Sequence, residues 1–416
     1  MRWRATERDA GFLESIRAAP DDDAPRLVYA DYLLERGDRR GELIIAQCDV
    51  ARLPKRTEAW RRAKAREEDI RPDGRDHAWE ISDFVRGFPQ TLRIAPRVLR
   101  RMHRHVATLP FRRLGTHGRE GQTRARSTLG DLAWIRAHMP SIETILLRSR
   151  SSTIAFATRE LAAIDEEDTT EAWPDDELPH ALLRDAATEL IIPRANSDMP
   201  PRVFADALPN LVEVMLLEAS ADEMFAFASR PSLRKLVWVA SDDERTIGAR
   251  IARAGFVAQL TSLKLKLLLD APLAEALAKA ELEELELAFD ATKDGLTRLA
   301  ESALMPKLRQ LRLLFEYVRP PRPIRHRASL LARADLTGLE ELRLTGIELD
   351  AGIAQLRLPA LVKLAVRDCT IDAAALEALL AAPALADLYR PSITHCGLDP
   401  AGEAAILARW PDARVR

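Results

Sequence analysis

Few residues in this sequence stand at the spacings that catalysis or metal binding demands. His395 and Cys396 are adjacent, the types that a thiol nucleophile and its base would use. Neighbours along a chain rarely face each other, however, and no third group is evident to orient the imidazole. His103 and His105 flank Arg104 and offer two imidazoles, but no cysteine or carboxylate stands beside them at ligand spacing. Asp21-Asp22-Asp23, with Asp31 and Asp38, could gather round a cation if the surrounding helices fold back on one another. A helix cap at Asp22 or Asp23, ahead of Pro25, explains the same residues more simply. The acidic runs Asp165-Glu166-Glu167-Asp168 and Asp175-Asp176-Glu177 lack the alternating oxygens and central glycine of a calcium loop. No Gly-x-x-x-x-Gly-Lys-Ser/Thr, His-Glu-x-x-His or Gly-x-Ser-x-Gly occurs. The expectation is a non-enzyme with no catalytic residue, metal or cofactor.

The bulk numbers agree with a folded, soluble chain. Of 416 residues, 47% are hydrophobic and 30% charged, enough for a core and a solvated exterior. Sixty-two basic residues against 64 acidic ones leave a net charge of -2, so no global field draws the protein to nucleic acid or an anionic membrane. The N-terminus, Met1-Arg2-Trp3-Arg4, has no signal-peptide core, and no apolar run of about 18 residues appears. Three scattered cysteines, Cys48, Cys369 and Cys396, make no disulfide framework. A cytoplasmic location is expected.

What positions side chains here is a repeat. The spacing Leu-x-x-Leu-x-Leu recurs at Leu260/Leu263/Leu265, Leu282/Leu285/Leu287, Leu308/Leu311/Leu313, Leu339/Leu342/Leu344 and Leu361/Leu364/Val366. Looser copies lie upstream at Leu233/Leu236/Trp238, Leu211/Val214/Leu216, Ala187/Leu190/Ile192 and Ile142/Ile145/Leu147. Faint ones precede them at Phe111/Leu114 and Leu92/Ile94, and a degenerate last copy begins at Leu385/Leu388. The steps run from 22 residues (260 to 282) to 31 (308 to 339). A short strand turns alternate side chains into a core, and each repeat buries its leucines against its neighbours. Alanine- and leucine-rich stretches between strands, such as 372–383, read as helices; Asp372 suits the N-cap and Pro383 the stop.

Leu361-Val362-Lys363-Leu364-Ala365-Val366-Arg367-Asp368-Cys369-Thr370-Ile371 resembles the leucine-rich-repeat consensus, with Cys369 where that family places Asn or Cys. Other copies put residues such as Ser220 or Asp290 there, so the asparagine ladder is largely missing. Near the N-terminus, Ile16 to Leu33 and its continuation to Gln47 resemble a short helical domain that accompanies repeat arrays in certain bacteria, a repeat-companion domain. The resemblance implies an α/β leucine-rich-repeat solenoid, with parallel strands on a concave face and helices on a convex one, preceded by a small all-helical domain. The expected divisions are a helical domain over 1–53, a charged helical linker leading into the array over 54–88, and the solenoid over 89–416. An acidic insertion falls near 160–180 and a capping helix near 400–411, with Ala404, Ile406, Leu407 and Trp410 packed over the last leucines.

By register, the exposed centre of each strand is Leu146, Ile191, Met215, Val237, Lys264, Glu286, Arg312, Arg343, Ala365 and Tyr389 in turn. An aliphatic zone, with Leu217 and Val239 beside it, gives way to a charged one of Lys264, Lys266, Arg312, Arg343, Lys363 and Arg367, relieved by Glu284, Glu286 and Glu341. That mixture suits a protein or peptide partner better than a polyphosphate backbone. The expected function is non-catalytic recognition or scaffolding on the concave face. The alternative is an accessory or effector protein with metal-dependent activity at Asp21, Asp22, Asp23 and Asp31.

Overall fold

The structure, a computed structural model, describes residues 7–70, 79–94, 98–99, 101, 109–115, 135, 138–139, 141–148, 153–157, 187–192, 208–240, 247–315 and 326–416. His103, His105 and both acidic runs lie outside them. Among the described residues no helix is long and apolar enough to cross a membrane. Contacts divide the chain into two compact units, Met1–Ile192 with Asp206–Leu211, and Pro193–Ala205 with Val212–Arg416.

The first unit opens with α1 (Ala10–Ala18), α2 (Ala24–Glu35), α3 (Arg40–Arg52) and α4 (Glu58–Ile70). Leu13, Ile16, Tyr29, Leu33, Leu43 and Ile44 form their core. The fourth helix lies in the stretch expected as a charged linker, yet it buries Trp60, Ala63, Glu67 and Ile70. Its anchor is Gln47 of α3, whose Nε2 donates to Glu67 Oε1 at 2.8 Å and to Phe84 O at 3.2 Å. Phe84 belongs to a hairpin of β1 (Trp79–Val85) and β2 (Phe88–Ile94). The hairpin tip is Arg86-Gly87, with φ of 49° and 87°, the left-handed pair that a two-residue type I′ turn requires. Gly87 N donates to Gln47 Oε1 at 2.5 Å, and a Cβ at Gly87 would meet Ile44 Cγ1 at 2.3 Å. Helices and hairpin are therefore one packed body.

From β2 onward the sheet of this unit runs through β3 (Arg113–Gly115), β4 (Thr144–Arg148), β5 (Thr153–Ala157) and β6 (Ala187–Ile192). The faint copies at Leu92 and Leu114 are parallel strands in register, Leu92 opposite Leu114 and Leu114 opposite Ile145. The 45-residue step from Ile142 to Ala187 holds an extra strand, β5, antiparallel to both β4 and β6. A uniformly parallel array was the expectation here. The segment Thr153-Ile154-Ala155-Phe156-Ala157 has the β-branched and aromatic content of a strand without the leucine spacing used to find the others.

The second unit contains β7 (Glu213–Ala219), β8 (Lys235–Ala240), β9 (Ser262–Leu269), β10 (Glu284–Ala291), β11 (Gln310–Phe315), β12 (Glu341–Thr345), β13 (Glu348–Leu349), β14 (Lys363–Arg367), β15 (Thr370–Ile371), β16 (Ser392–Thr394) and β17 (Arg414–Val415). All but β13 and β15, which pair with each other, make a parallel sheet in chain order. Val214, Leu236, Leu263, Leu285, Leu311, Leu342 and Leu364 stand in one inward row, each at most 2% exposed. The leading leucines Leu233, Leu260, Leu282, Leu308, Leu339 and Leu361 are fully buried where the chain turns into each strand.

Helices follow several strands, each started by a short polar residue. Ser220 forms a capping box with Glu223, and Asp270, Thr292, Asp372 and Asp399 accept from backbone N–H groups of the first turn at 2.7–3.0 Å. Around β12 and β14 the connectors shrink to 3-10 turns at Ala328–Arg333 and Ala351–Gln355. The last helix, Pro400–Arg409, buries Ile406 and leads to buried Trp410, whose Nε1 donates to Leu385 O at 3.0 Å. Two of the four residues expected in the cap do not pack: Ala404 and Leu407 are exposed, Leu407 by 42%. They lie on the helix face away from Ile406. The chain then adds β17 beside β16.

Candidate partner-binding face

Strand alternation leaves the odd positions of β7 to β14 pointing away from the leucine core. In the second unit the central row is Met215, Val237, Lys264, Glu286, Arg312, Arg343, Ala365 and then Ser392. The last member was expected to be Tyr389, which instead is buried before the strand begins. Arg390 takes a left-handed φ of 45° ahead of Pro391, and this extra bend delays β16 to Ser392. A second row, two residues on, carries Leu217, Val239, Lys266, Ala288, Leu314, Thr345, Arg367 and Thr394. Lys363 points outward two residues before the central row of β14, opposite Glu341.

The aliphatic zone is thus smaller than expected. Met215 lies beside Val237, and Leu217 beside Val239, all four half-buried. Leu146 and Ile191 do not share one row within the first unit. The inserted β5 sets Leu146 opposite Ala155, which faces Glu189, whereas Ile191 faces Thr153, opposite Arg148.

Among the charged residues, Arg312 is already engaged. Its guanidinium reaches Glu286 at 3.2 Å and Glu341 at 3.0 Å, and donates to Gln310 Oε1 at 3.1 Å. Glu284 accepts from Ser262 at 3.0 Å and Gln310 at 3.3 Å, and Lys235 stands 3.5 Å from Glu213. These cross-strand pairs hold the middle of the face rather than await a ligand. Arg343 is 45% exposed and only grazes Glu341 at 3.4 Å, while Arg367 is 64% exposed and pairs with the adjacent Asp368. Lys264 and Lys266 are half-buried beside the aliphatic block, and Lys363 is exposed.

The His395–Cys396 pair is explained by the repeat. Gly346, Asp368 and His395 occupy equivalent positions two residues past Leu344, Val366 and Ile393, with left-handed φ of 70°, 50° and 57°. Each is followed by a buried residue: Ile347, Cys369, Cys396. A Cβ at Gly346 would meet Phe315 O at 2.1 Å, so glycine is required at the first of these turns. Cys369 Sγ donates to Arg367 O at 3.2 Å and Leu344 O at 3.7 Å; Cys396 repeats this to Thr394 O at 3.2 Å and Val366 O at 3.8 Å. The two thiols thus supply equivalent weak donors to carbonyls of their own and the preceding strand. Burial pushes the Cys369 thiol up to about 12 and raises Cys396 as well, which keeps both protonated and non-nucleophilic at neutral pH.

Three of the N-terminal carboxylates are likewise engaged within the fold. Asp22 Oδ1 accepts from Ala24 N at 2.9 Å, Asp23 lies 3.3 Å from Arg86, and Asp38 pairs with Arg40 at 2.7 Å. Burial works against the Asp38 carboxylate, but hydrogen bonds from Arg40 outweigh it and lower its pKa. Among the described residues no group of three or more His, Cys, Asp or Glu is arranged to hold a metal ion.

No family model matches this chain, and no curated protein does. Among solved structures, an internalin from Listeria monocytogenes strain 4b F2365 is similar over 58% of this chain and 90% of that one, at 12% identity and a TM-score of 0.28. At that score the likeness carries no argument, and the repeat reading rests on the register of β7 to β16.

Proposed function

We propose that the chain is a leucine-rich-repeat solenoid led by a helical repeat-companion domain, and that it is a non-catalytic recognition or scaffold protein. A protein or peptide partner is gripped on the outward face of the parallel strands, the concave face of the solenoid. The observation that supports this reading is the composition of the outward positions: an aliphatic block of Met215, Leu217, Val237 and Val239 borders Lys264 and Lys266, with Arg343, Lys363 and Arg367 further along. Apolar side chains at the centre of a contact supply affinity, and charges at its rim set orientation and association rate. Arg312 is better read as a brace for Glu286 and Glu341 than as a contact.

The test begins with affinity capture from the native cell and mass spectrometry, then surface plasmon resonance with the partner at two ionic strengths. Met215→Asp is expected to speed dissociation at least about tenfold, and Arg343→Glu to slow association and change its salt dependence. Wild-type kinetics from both folded variants would move the binding site off this face.

A further inference from the structure

The outward face of the second unit is uneven in how its charges are matched. Glu213 lies 3.5 Å from Lys235, Glu284 accepts from Ser262 and Gln310, and Glu286 and Glu341 both hold Arg312. Each of these four outward carboxylates is therefore engaged within the face. Two outward cations are not. Lys264, in the central row between Val237 and Glu286, and Lys363, on β14, have no ion-pair or hydrogen-bond partner among the described residues. Arg343 adds a lightly held charge, exposed and 3.4 Å from a Glu341 that Arg312 already shares. The chain as a whole carries a net charge of -2, so this surplus is local.

Half-buried Lys264 also flanks the aliphatic block of Met215, Leu217, Val237 and Val239. Apolar neighbours on one side offer its ammonium no hydrogen bond, and Glu286 on the other side turns to Arg312. A charge so placed attracts a counter-ion more strongly than one fully in water. Strand spacing then sets the pattern of groups that fits. Neighbouring strands lie about 4.8 Å apart, so β9 is about 7 Å from the midline of β7 and β8, and β12 is about 14 Å beyond β9. An extended peptide repeats the side chains of one face about every 6.6 Å. Laid across the strands, it sets an aliphatic side chain on the block, a carboxylate at Lys264 two residues on, and another at Arg343 four residues after that.

We propose that the outward face takes an extended acidic peptide segment of a partner protein, with an aliphatic side chain seated on Met215, Leu217, Val237 and Val239 and carboxylates at Lys264 and at Arg343 and Lys363. The partner's charge and spacing are thus added to the contact surface proposed above, on which they depend. A second copy of the face would bring the same cations against one another. A polyphosphate would meet Glu286 beside Lys264 and Glu341 beside Arg343.

A phage-displayed library of random peptides about 15 residues long, selected against the full chain, tests the partner class, with selected sequences then measured as labelled synthetic peptides by fluorescence polarisation. Enriched peptides are expected to be acidic, with Leu, Ile, Val or Met two residues from Asp or Glu. Lys264→Glu should weaken them about tenfold at low salt and less at high salt, and selection on that variant should exchange the carboxylate for Lys or Arg. Lys363→Glu changes an exposed side chain that the core does not use, so the charge requirement is read even if Lys264→Glu unfolds. Its effect should be smaller but of the same sign. Neutral or basic peptides that lose affinity for Met215→Asp would overturn the acidic partner and leave the face in place. Peptides bound equally by Met215→Asp and both lysine variants would take the site off the face, and both readings with it. No enrichment from the library would overturn a peptide segment as the occupant. Sedimentation of the chain alone as a dimer that Met215→Asp disperses would overturn it too, and assign the face to a second copy.

Discussion

Leu285 and Glu286 are consecutive in β10, yet one sits in the inward leucine row at 1% exposure and the other on the outward face. Leu285→Ala should therefore cost about 2–5 kcal/mol, the range for a truncated core leucine. Glu286→Ala removes one partner of Arg312, which keeps Glu341, and should cost under about 1 kcal/mol. Urea midpoints separate the two; equal midpoints would mean the strand register is wrong. The buried thiols make a different demand. Burial moves Cys48 and Cys369 up to about 12 from an ordinary 9.0, and raises Tyr29 in the same sense. A raised acid pKa means that the unfolded chain loses the proton first. The stability these groups contribute is complete below pH 9 and drains away as pH climbs toward 12. Denaturation midpoints should fall over that window, less steeply in the Cys48→Ala/Cys369→Ala variant, and an identical slope in both would assign the loss elsewhere. Inward leucines and the Cys369 slot are legible in the sequence because they repeat. The equivalence of Gly346, Asp368 and His395 is not, since three unlike residues share only a backbone angle.

Elements were easier to read where one residue type recurs and harder where a single contact decides. The parallel strands from β7 to β14 follow from leucine spacing alone, and their helices from alanine-rich stretches. The inserted β5 and terminal β17 carry no such spacing. Helix α4 looks solvated by its charge density, yet it buries Trp60, Ala63 and Ile70, and the Gln47–Glu67 bond ties it to α3 and the hairpin. Gln47→Leu would remove the partner of Gly87 N and one partner each of Phe84 O and of Glu67, which keeps Lys64, so a loss exceeding about 2 kcal/mol is expected, measured by thermal unfolding. A loss below that would show that α4 and the hairpin dock without the glutamine. At the other end, Trp410→Ala should destabilise by about 3–5 kcal/mol, whereas Leu407→Ala should be nearly silent because that leucine faces solvent. Equal effects would mean that the terminal helix packs through another face.

At the scale of the molecule, the sequence reveals a repeat more clearly than it locates a ligand. An array of leucines announces itself at any length, while the surplus charge at Lys264 and Lys363 depends on which neighbours Glu286 and Glu341 pair with. Only folding sets those pairings, so the unmatched cations were invisible in the chain while the outward rows were not. The register of the second unit has one further consequence. Paired residues such as Lys264 and Glu286, or Arg312 and Arg343, lie 22 and 31 positions apart, and no pairing from β9 to β14 spans more. Such contacts never require distant parts of the polymer to meet, so closure entropy stays constant as the array grows. A ribosome releasing this chain would free one strand-forming segment at a time, each able to settle on the one already laid down.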